Sequence, residues 1–248
     1  VEAGLRSFDR SMPEEINRVL TDRISDILFV SEPSGVENLL REGIDGSKVH
    51  LVGNVMIDSL MRYKALADTS TILDDLSIEP DRYALLTLHR PSNVDDCRTL
   101  GRILDALAVI QQDTPVVFPA HPRTQKALVA SGLDSRVASM PRLRFVEPLG
   151  YLDFLKLMSN AACVLTDSGG VQEETTVLKV PCLTLRENTE RPITVEAGSN
   201  RLVGTDPSRI LTAWKDIAAG RLPDSQTPDL WDGEAAERIV TILAERLR

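Results

Sequence analysis

The 248-residue chain is poor in cysteine, histidine and aromatic side chains. Its three cysteines, Cys97, Cys163 and Cys182, are odd in number, widely spaced and in no CxxC pair. That argues against a disulfide framework or a cysteine zinc site and for a reducing compartment, the cytoplasm. No apolar run approaches the roughly 20 residues that a membrane-crossing helix needs, and no signal-peptide pattern opens the sequence. Positive charge is in deficit, with 28 Lys and Arg against 37 Asp and Glu and a net charge of −9. The overall field therefore opposes nucleic-acid phosphates, and any anionic ligand must be caught by a local arrangement. GxGxxG, Walker, HExxH and GxSxG patterns are missing, so no motif calls for a nicotinamide, a metal or a serine nucleophile.

What is present is a chain 42% hydrophobic, enough to bury a substantial core. Short apolar runs alternate with segments of helical period, the pattern of parallel βαβ units. Strands are expected at Ile27 to Val30, Val49 to Val52, Tyr83 to Leu88, Val116 to Phe118, Leu143 to Val146, Cys163 to Thr166 and Cys182 to Leu185. Helices are expected at Glu14 to Ile24, Gly35 to Arg41, Val55 to Ala67, Leu100 to Gln111, Pro122 to Ala130, Tyr151 to Met158, Val171 to Leu178 and Pro207 to Ala219. A last one runs from Glu234 to Leu247, with Ile239, Ile242, Leu243 and Leu247 on one face. The polar stretch 68–81 reads as a linker, and Leu222 to Asp232, rich in Pro and Asp, as a connection to the last helix. Val1 opens the sequence without a methionine, a turn or a cap, which reads as the interior of a longer protein.

Ligands of open α/β folds bind at the carboxyl ends of the strands, and three loops there carry chemistry. Thr166, Asp167, Ser168, Gly169 and Gly170 close a strand and open a helix, so backbone N–H groups and the helix dipole make a phosphate seat. Ser168 adds a hydroxyl, and Glu173 or Glu174, one turn on, is placed to accept from ribose hydroxyls. The plainer alternative is a tight turn in which Asp167 and Ser168 only cap the helix. His89 follows a strand directly, at the sheet edge where substrates bind, with Arg90 beside it as a fixed charge; a structural histidine and a surface ion pair are the alternative. His121 has the same placement with a stronger case for a structural role. Glu190 and Arg191 lie in a charged loop on the same sheet edge, either a phosphate clamp or an exposed loop. Nothing in the spacing of Glu2, Glu14 or Glu15 marks them as catalytic.

Taken together, VEAGLRS (Val1 to Ser7), PEEINR (Pro13 to Arg18), GN followed by ID (Gly53 to Asp58), HRPSNVD (His89 to Asp95), HPRT (His121 to Thr124), TDSGGVQEE (Thr166 to Glu174) and TERP (Thr189 to Pro192) occur in one order. That ordered set resembles the non-hydrolysing UDP-N-acetylglucosamine 2-epimerases. The resemblance implies an α/β fold with two Rossmann-like domains of the glycosyltransferase-B type, the first incomplete in this chain. Residues 1–67 would be the second half of the first domain, 68–81 a linker, 82–223 the UDP-binding domain, and 224–248 a helix crossing back. An incomplete first sheet would leave an unpaired edge and exposed apolar surface.

By the same resemblance Glu2, Glu14 and His89 would be catalytic, and Ser168, Gly169, Gly170, Glu174, Phe154 and Arg191 would hold UDP, with Phe154 beside the uracil. It implies a UDP-sugar substrate, no metal or other cofactor and a homodimer. His121 stands where some bacterial members have a histidine of a second, allosteric site, but HPRT departs from their asparagine-proline pair, so such regulation is not expected. A relative acting on a modified UDP-sugar, or a UDP-binding module without turnover, would share the same seat.

Overall fold

The computed structural model describes residues 1–221 and 225–246. The chain begins with a small parallel unit: α1 (Pro13–Ile24), β1 (Leu28–Val30), α2 (Pro33–Arg41), one 3-10 turn (Gly46–Lys48) and β2 (Val49–Leu51). Leu28 pairs with Val49 in the parallel register. Val30 carbonyl faces the β2 side, where it accepts from Val52 N–H, so Phe29 carbonyl faces the other edge, and Ala3 N–H occupies it at 3.0 Å. The opening segment thus lies along β1. Exposed apolar surface is nonetheless present on α1 and just before it, at Phe8, Ile16, Val19, Leu20 and Ile24.

The rest of the chain alternates strands and helices. After α3 (Val55–Ala67) and α4 (Ile72–Asp75) come β3 (Ala84–Thr87), α5 (Pro91–Val94), α6 (Cys97–Asp113), β4 (Val116–Pro119), α7 (Pro122–Ala130), α8 (Asp134–Ala138) and β5 (Leu143–Val146). The second half continues with α9 (Tyr151–Ser159), β6 (Cys163–Thr166), α10 (Gly169–Leu178), β7 (Cys182–Thr184), α11 (Ile193–Glu196), β8 (Asn200–Leu202), α12 (Pro207–Ala218) and α13 (Ala235–Arg246). The six later strands form one parallel sheet in the order β5-β4-β3-β6-β7-β8.

Successive strand residues point to opposite faces, and both faces are covered, as a parallel sheet requires. Leu86, Val116 and Leu165 meet Leu100, Ile103, Leu104 and Leu107 of α6 and Ile210 of α12 on one side. On the other, Leu85, Val117 and Val164 meet Ile57 and Leu60 of α3, Leu155 and Met158 of α9, and Val171 of α10. Each such buried aliphatic side chain stabilises by about 1.5–3 kcal/mol.

All seven expected strands are present, and the fold is the expected parallel α/β arrangement. The eighth, β8, escapes sequence reading because two of its three residues, Asn200 and Arg201, are polar. Helices α4, α5, α8 and α11 are four or five residues long and show no period to read. Helix α6 starts three residues earlier than expected, because the Asp96 carboxylate accepts from Arg98 N–H and from the Thr99 hydroxyl. Within 68–81, the apolar pair Ile72 and Leu73 of α4 is buried in the core that α3 and α9 share.

The chain then returns to its first unit. Trp231, almost fully buried, donates from its indole N–H to Ser31 carbonyl at 2.9 Å. Asp58 of α3 accepts from Ala235 and Ala236 N–H at the start of α13, and Arg246 at its end reaches Ser47 carbonyl. Ile239, Ile242 and Leu243 form its half-buried face, whereas Leu247 and Leu222 to Asp224 lie outside the described residues. No helix among the described residues is long and apolar enough to cross a membrane.

Gly53 makes this return possible. Its φ is +90°, and a Cβ there would lie 2.0 Å from Leu230 carbonyl oxygen. We expect Gly53→Ala to cost about 3 kcal/mol through strain and displacement of the returning segment, read as a lower urea midpoint; an unchanged midpoint would contradict this packing.

Candidate active site

Strand order reverses between β3 and β6. From β3 the chain builds outward through β4 and β5, then returns to place β6 on the other side of β3. The loops after these two strands diverge and leave a crevice at their carboxyl ends, where open α/β sheets take ligands. His89 and Arg90 follow β3, and Asp167 to Gly170 follow β6. The Thr87 and Thr166 hydroxyls, 2.7 Å apart, tie the two strand ends together.

Asp167 joins the two loops. It is fully buried, and its carboxylate accepts from His89 N–H (3.1 Å), Arg90 N–H (3.0 Å) and the Asn93 amide (3.1 Å). Its Oδ1 also stands 2.9 Å from His89 Nδ1, while the imidazole remains half exposed. A carboxylate at Nδ1 fixes the ring's orientation and leaves Nε2 for an incoming group. Sequence reading gave Asp167 a capping role at most; the signal was an ionisable residue between a buried strand and a small-residue turn.

At the start of α10, Ser168 is the N-cap, its hydroxyl accepting from Val171 N–H at 3.5 Å. The two glycines that follow differ. A Cβ on Gly169 would lie 2.8 Å from Arg191 Nη1, so its bare Cα makes room for the guanidinium. One on Gly170 would meet only Met56 Cε, at 3.8 Å, so this position is open. Of the adjacent glutamates, Glu174 accepts from the Tyr151 hydroxyl at 2.8 Å, on the side of α9 where Phe154 packs half-buried one turn further along. Glu173 turns inward toward Arg191, which removes it as a ribose contact.

The loop holding Glu190 and Arg191 is not an exposed charged loop, because both side chains are buried. Glu190 meets Arg186 at 2.8 Å, Arg191 at 2.9 Å, Arg90 at 3.2 Å and Arg18 at 3.7 Å. It is the counter-ion of an arginine cluster rather than part of a clamp. Burial alone would push its carboxyl up, but the Arg186 hydrogen bond and the surrounding arginine charges overcome this and hold it at about 2. A depressed carboxyl stabilises the fold fully above its unfolded value of about 4.5 and loses that contribution as pH falls toward 2. We therefore expect Glu190→Gln to cost about 3 kcal/mol at pH 6 and little at pH 2, measured by urea unfolding; an equal cost at both pH values would contradict the pairing. Glu32, the N-cap residue of α2, runs the other way, since burial pushes it up to about 7.

Glu2 has a left-handed backbone, φ 58°, which is uncommon for a side chain of its kind and is found where other interactions hold it. Its carboxylate stands 3.7 Å from Arg191 Nη2. Glu14 is exposed on the first turn of α1 and lines a cavity of about 500 Å3, with Arg90, Ser92, Arg186 and Asn188 on the facing wall. Glu15 instead anchors its own loop by accepting from Ser7 and Phe8 N–H. His121 lies apart and caps α7, its Nδ1 accepting from Arg123 N–H at 3.2 Å. A second cavity of about 530 Å3, lined by Phe8, Ile16, Val19 and Leu20, lies on the outer side of α1, and none of the crevice residues lines it.

Residues 1–244 match the family model described as UDP-N-acetylglucosamine 2-epimerase. The UDP-N-acetylglucosamine 2-epimerase of Methanocaldococcus jannaschii is 46% identical over 249 residues, which cover 98% of this chain and 67% of that protein. The UDP-2,3-diacetamido-2,3-dideoxy-D-glucuronate 2-epimerase of Pseudomonas aeruginosa is 39% identical, covering 99% and 67%. Among solved structures, the M. jannaschii epimerase in complex with UDP-GlcNAc and UDP superposes with a TM-score of 0.91 at 44% identity, covering 99% of this chain and 68% of that one. The chain thus spans about two thirds of the length of these relatives. The family match over residues 1–244 and the shared architecture establish that this chain belongs to the UDP-N-acetylglucosamine 2-epimerase family.

Proposed function

We propose that the protein interconverts UDP-N-acetylglucosamine and UDP-N-acetylmannosamine. The observation that carries this reading is the start of α10 at the reversal of strand order, facing His89 and flanked by Arg191. The proton on C2 of the sugar has no adjacent carbonyl to acidify it, so simple removal and return is too slow. Elimination avoids that difficulty. A base takes the C2 proton, the C–H electron pair becomes the C1–C2 double bond, and the C1–O pair leaves with UDP, giving 2-acetamidoglucal. UDP then adds back at C1 while C2 takes a proton on the opposite face.

Departure of an anionic diphosphate demands preorganised positive potential, and the α10 amides at Ser168, Gly169 and Gly170 with Arg191 would supply it. Glu174 would take the ribose hydroxyls and Phe154 the uracil edge. Glu2 and Glu14 would move the proton, while His89, oriented by Asp167, would act as acid or touch the phosphate. The experiment is turnover in deuterium oxide: the product should carry deuterium at C2, and a product without it would rule the reaction out.

Similarity to the P. aeruginosa relative favours a second reading, a diacetamido-uronic acid in the same seat. Comparing turnover of the two UDP-sugars decides between them. The core that α3 shares with the six-stranded sheet supports a domain division near Gly53, ahead of the expected linker. The apolar side of α1 would suit a homodimer, checked by sedimentation, and three free cysteines suit the cytoplasm.

A further inference from the structure

The proposed seat accounts for the backbone at Ser168 to Gly170 but not for the side chain beneath it. Glu173 is fully buried on α10, and neither of its carboxylate oxygens has an aligned hydrogen bond. Arg191 Nε stands only 2.6 Å from Glu173 Oε1, a buried ion pair at contact distance although the N–H is not aligned on the oxygen. The guanidinium meets a different carboxylate at each nitrogen: Glu173 at Nε, Glu190 at Nη1 (2.9 Å) and Glu2 at Nη2 (3.7 Å). Its Nη1 also lies against the bare Cα of Gly169. Arg191 therefore connects the amides that open α10 to the carboxylate proposed to move the C2 proton.

A guanidinium held only at its Nη nitrogens, closely by Glu190 and more distantly by Glu2, can pivot, whereas a further charge at Nε holds its plane. We propose that Glu173, as a carboxylate, is the positioning residue that holds Arg191 across the diphosphate seat with its Nη2 edge toward Glu2. This rests on the proposed function, because the phosphate role of Arg191 belongs to that reading. The charged groups facing Glu173 are Arg191, from the loop after β7, and Glu2, from the opening segment; α3 offers the neutral Asn54, and Glu174 is turned to Tyr151. Burial pushes the Glu173 carboxyl up to about 7, with Arg191 pulling down and Glu2 pushing further up. The form that holds Arg191 is thus lost as pH falls through about 7.

The test uses UDP-N-acetylglucosamine and the intact protein. Glu173→Gln should lower kcat by roughly 10- to 100-fold at pH 8.5, the loss expected of a misplaced catalytic partner, with KM changed less than about threefold. Wild-type activity should fall toward the E173Q level on acidification through about 7, and E173Q should lack that limb. A packing defect alone would not remove it. Arg191→Lys, which has no Nε contact of this kind, should also lack the limb, and adding E173Q to R191K should cost less than about twofold further.

The inference is overturned if E173Q keeps the limb, if its kcat at pH 8.5 equals the wild type, or if the two substitutions multiply. If E173Q does not fold, a folded R191K that retains the limb overturns it alone. A wild-type protein that turns over no UDP-sugar contradicts the proposed function instead, and so distinguishes the two failures.

Discussion

Asp167→Asn is expected to lower kcat about a thousandfold while leaving UDP affinity within about tenfold of the wild type. The buried carboxylate takes two backbone N–H groups, the Asn93 amide and His89 Nδ1 at once. An asparagine offers one acceptor oxygen, and its NH2 would face donors. The imidazole would then turn or adopt the other tautomer, so Nε2 no longer presents the same proton chemistry to the crevice. Steady-state kinetics with a melting curve checks this. A folded variant with near-normal kcat would remove His89 from the reaction or Asp167 from its control.

Gly170→Val should weaken UDP binding by about 100-fold and leave stability within about 1 kcal/mol. The position is helical, and a Cβ there meets nothing closer than Met56 Cε at 3.8 Å, so the added branch starts in open space. A diphosphate lying on the amides does not. Gly169 cannot serve the same purpose, because a Cβ would disturb Arg191 and Glu190 whether or not a ligand binds there. Titration calorimetry and thermal melting of the Gly170 variant separate the two effects, and unaltered affinity would place the diphosphate elsewhere.

Much of this architecture was legible in the chain because buried parallel strands are short apolar runs between helices of clear period. The glycine turn and His89 could be found because strand ends and small residues are local signals. Other features depend on residues that meet only after folding. Glu190 read as part of either a phosphate clamp or an exposed loop, yet Arg18 from α1, Arg90 after β3 and Arg186 and Arg191 of its own loop converge on it. Glu173 and Glu174 are adjacent letters in the sequence, but about 100° of helical rotation sends one toward Arg191 and the other toward Tyr151. The left-handed backbone at Glu2 leaves no trace in composition or period. The resemblance to a family identified Glu2 and Glu14 as candidates when their spacing did not.

The account stands on one placement: phosphate oxygens held by the first amides of α10, between Arg191 and the imidazole after β3. A crystal structure of the protein with UDP-N-acetylglucosamine measures it most directly. Phosphate oxygens should lie about 2.7–3.2 Å from the N–H groups at Gly169 and Gly170, with the sugar directed toward His89 and Glu2. A nucleotide with its diphosphate away from α10, for instance in the cavity on the outer side of α1, would contradict the site and every role assigned around it.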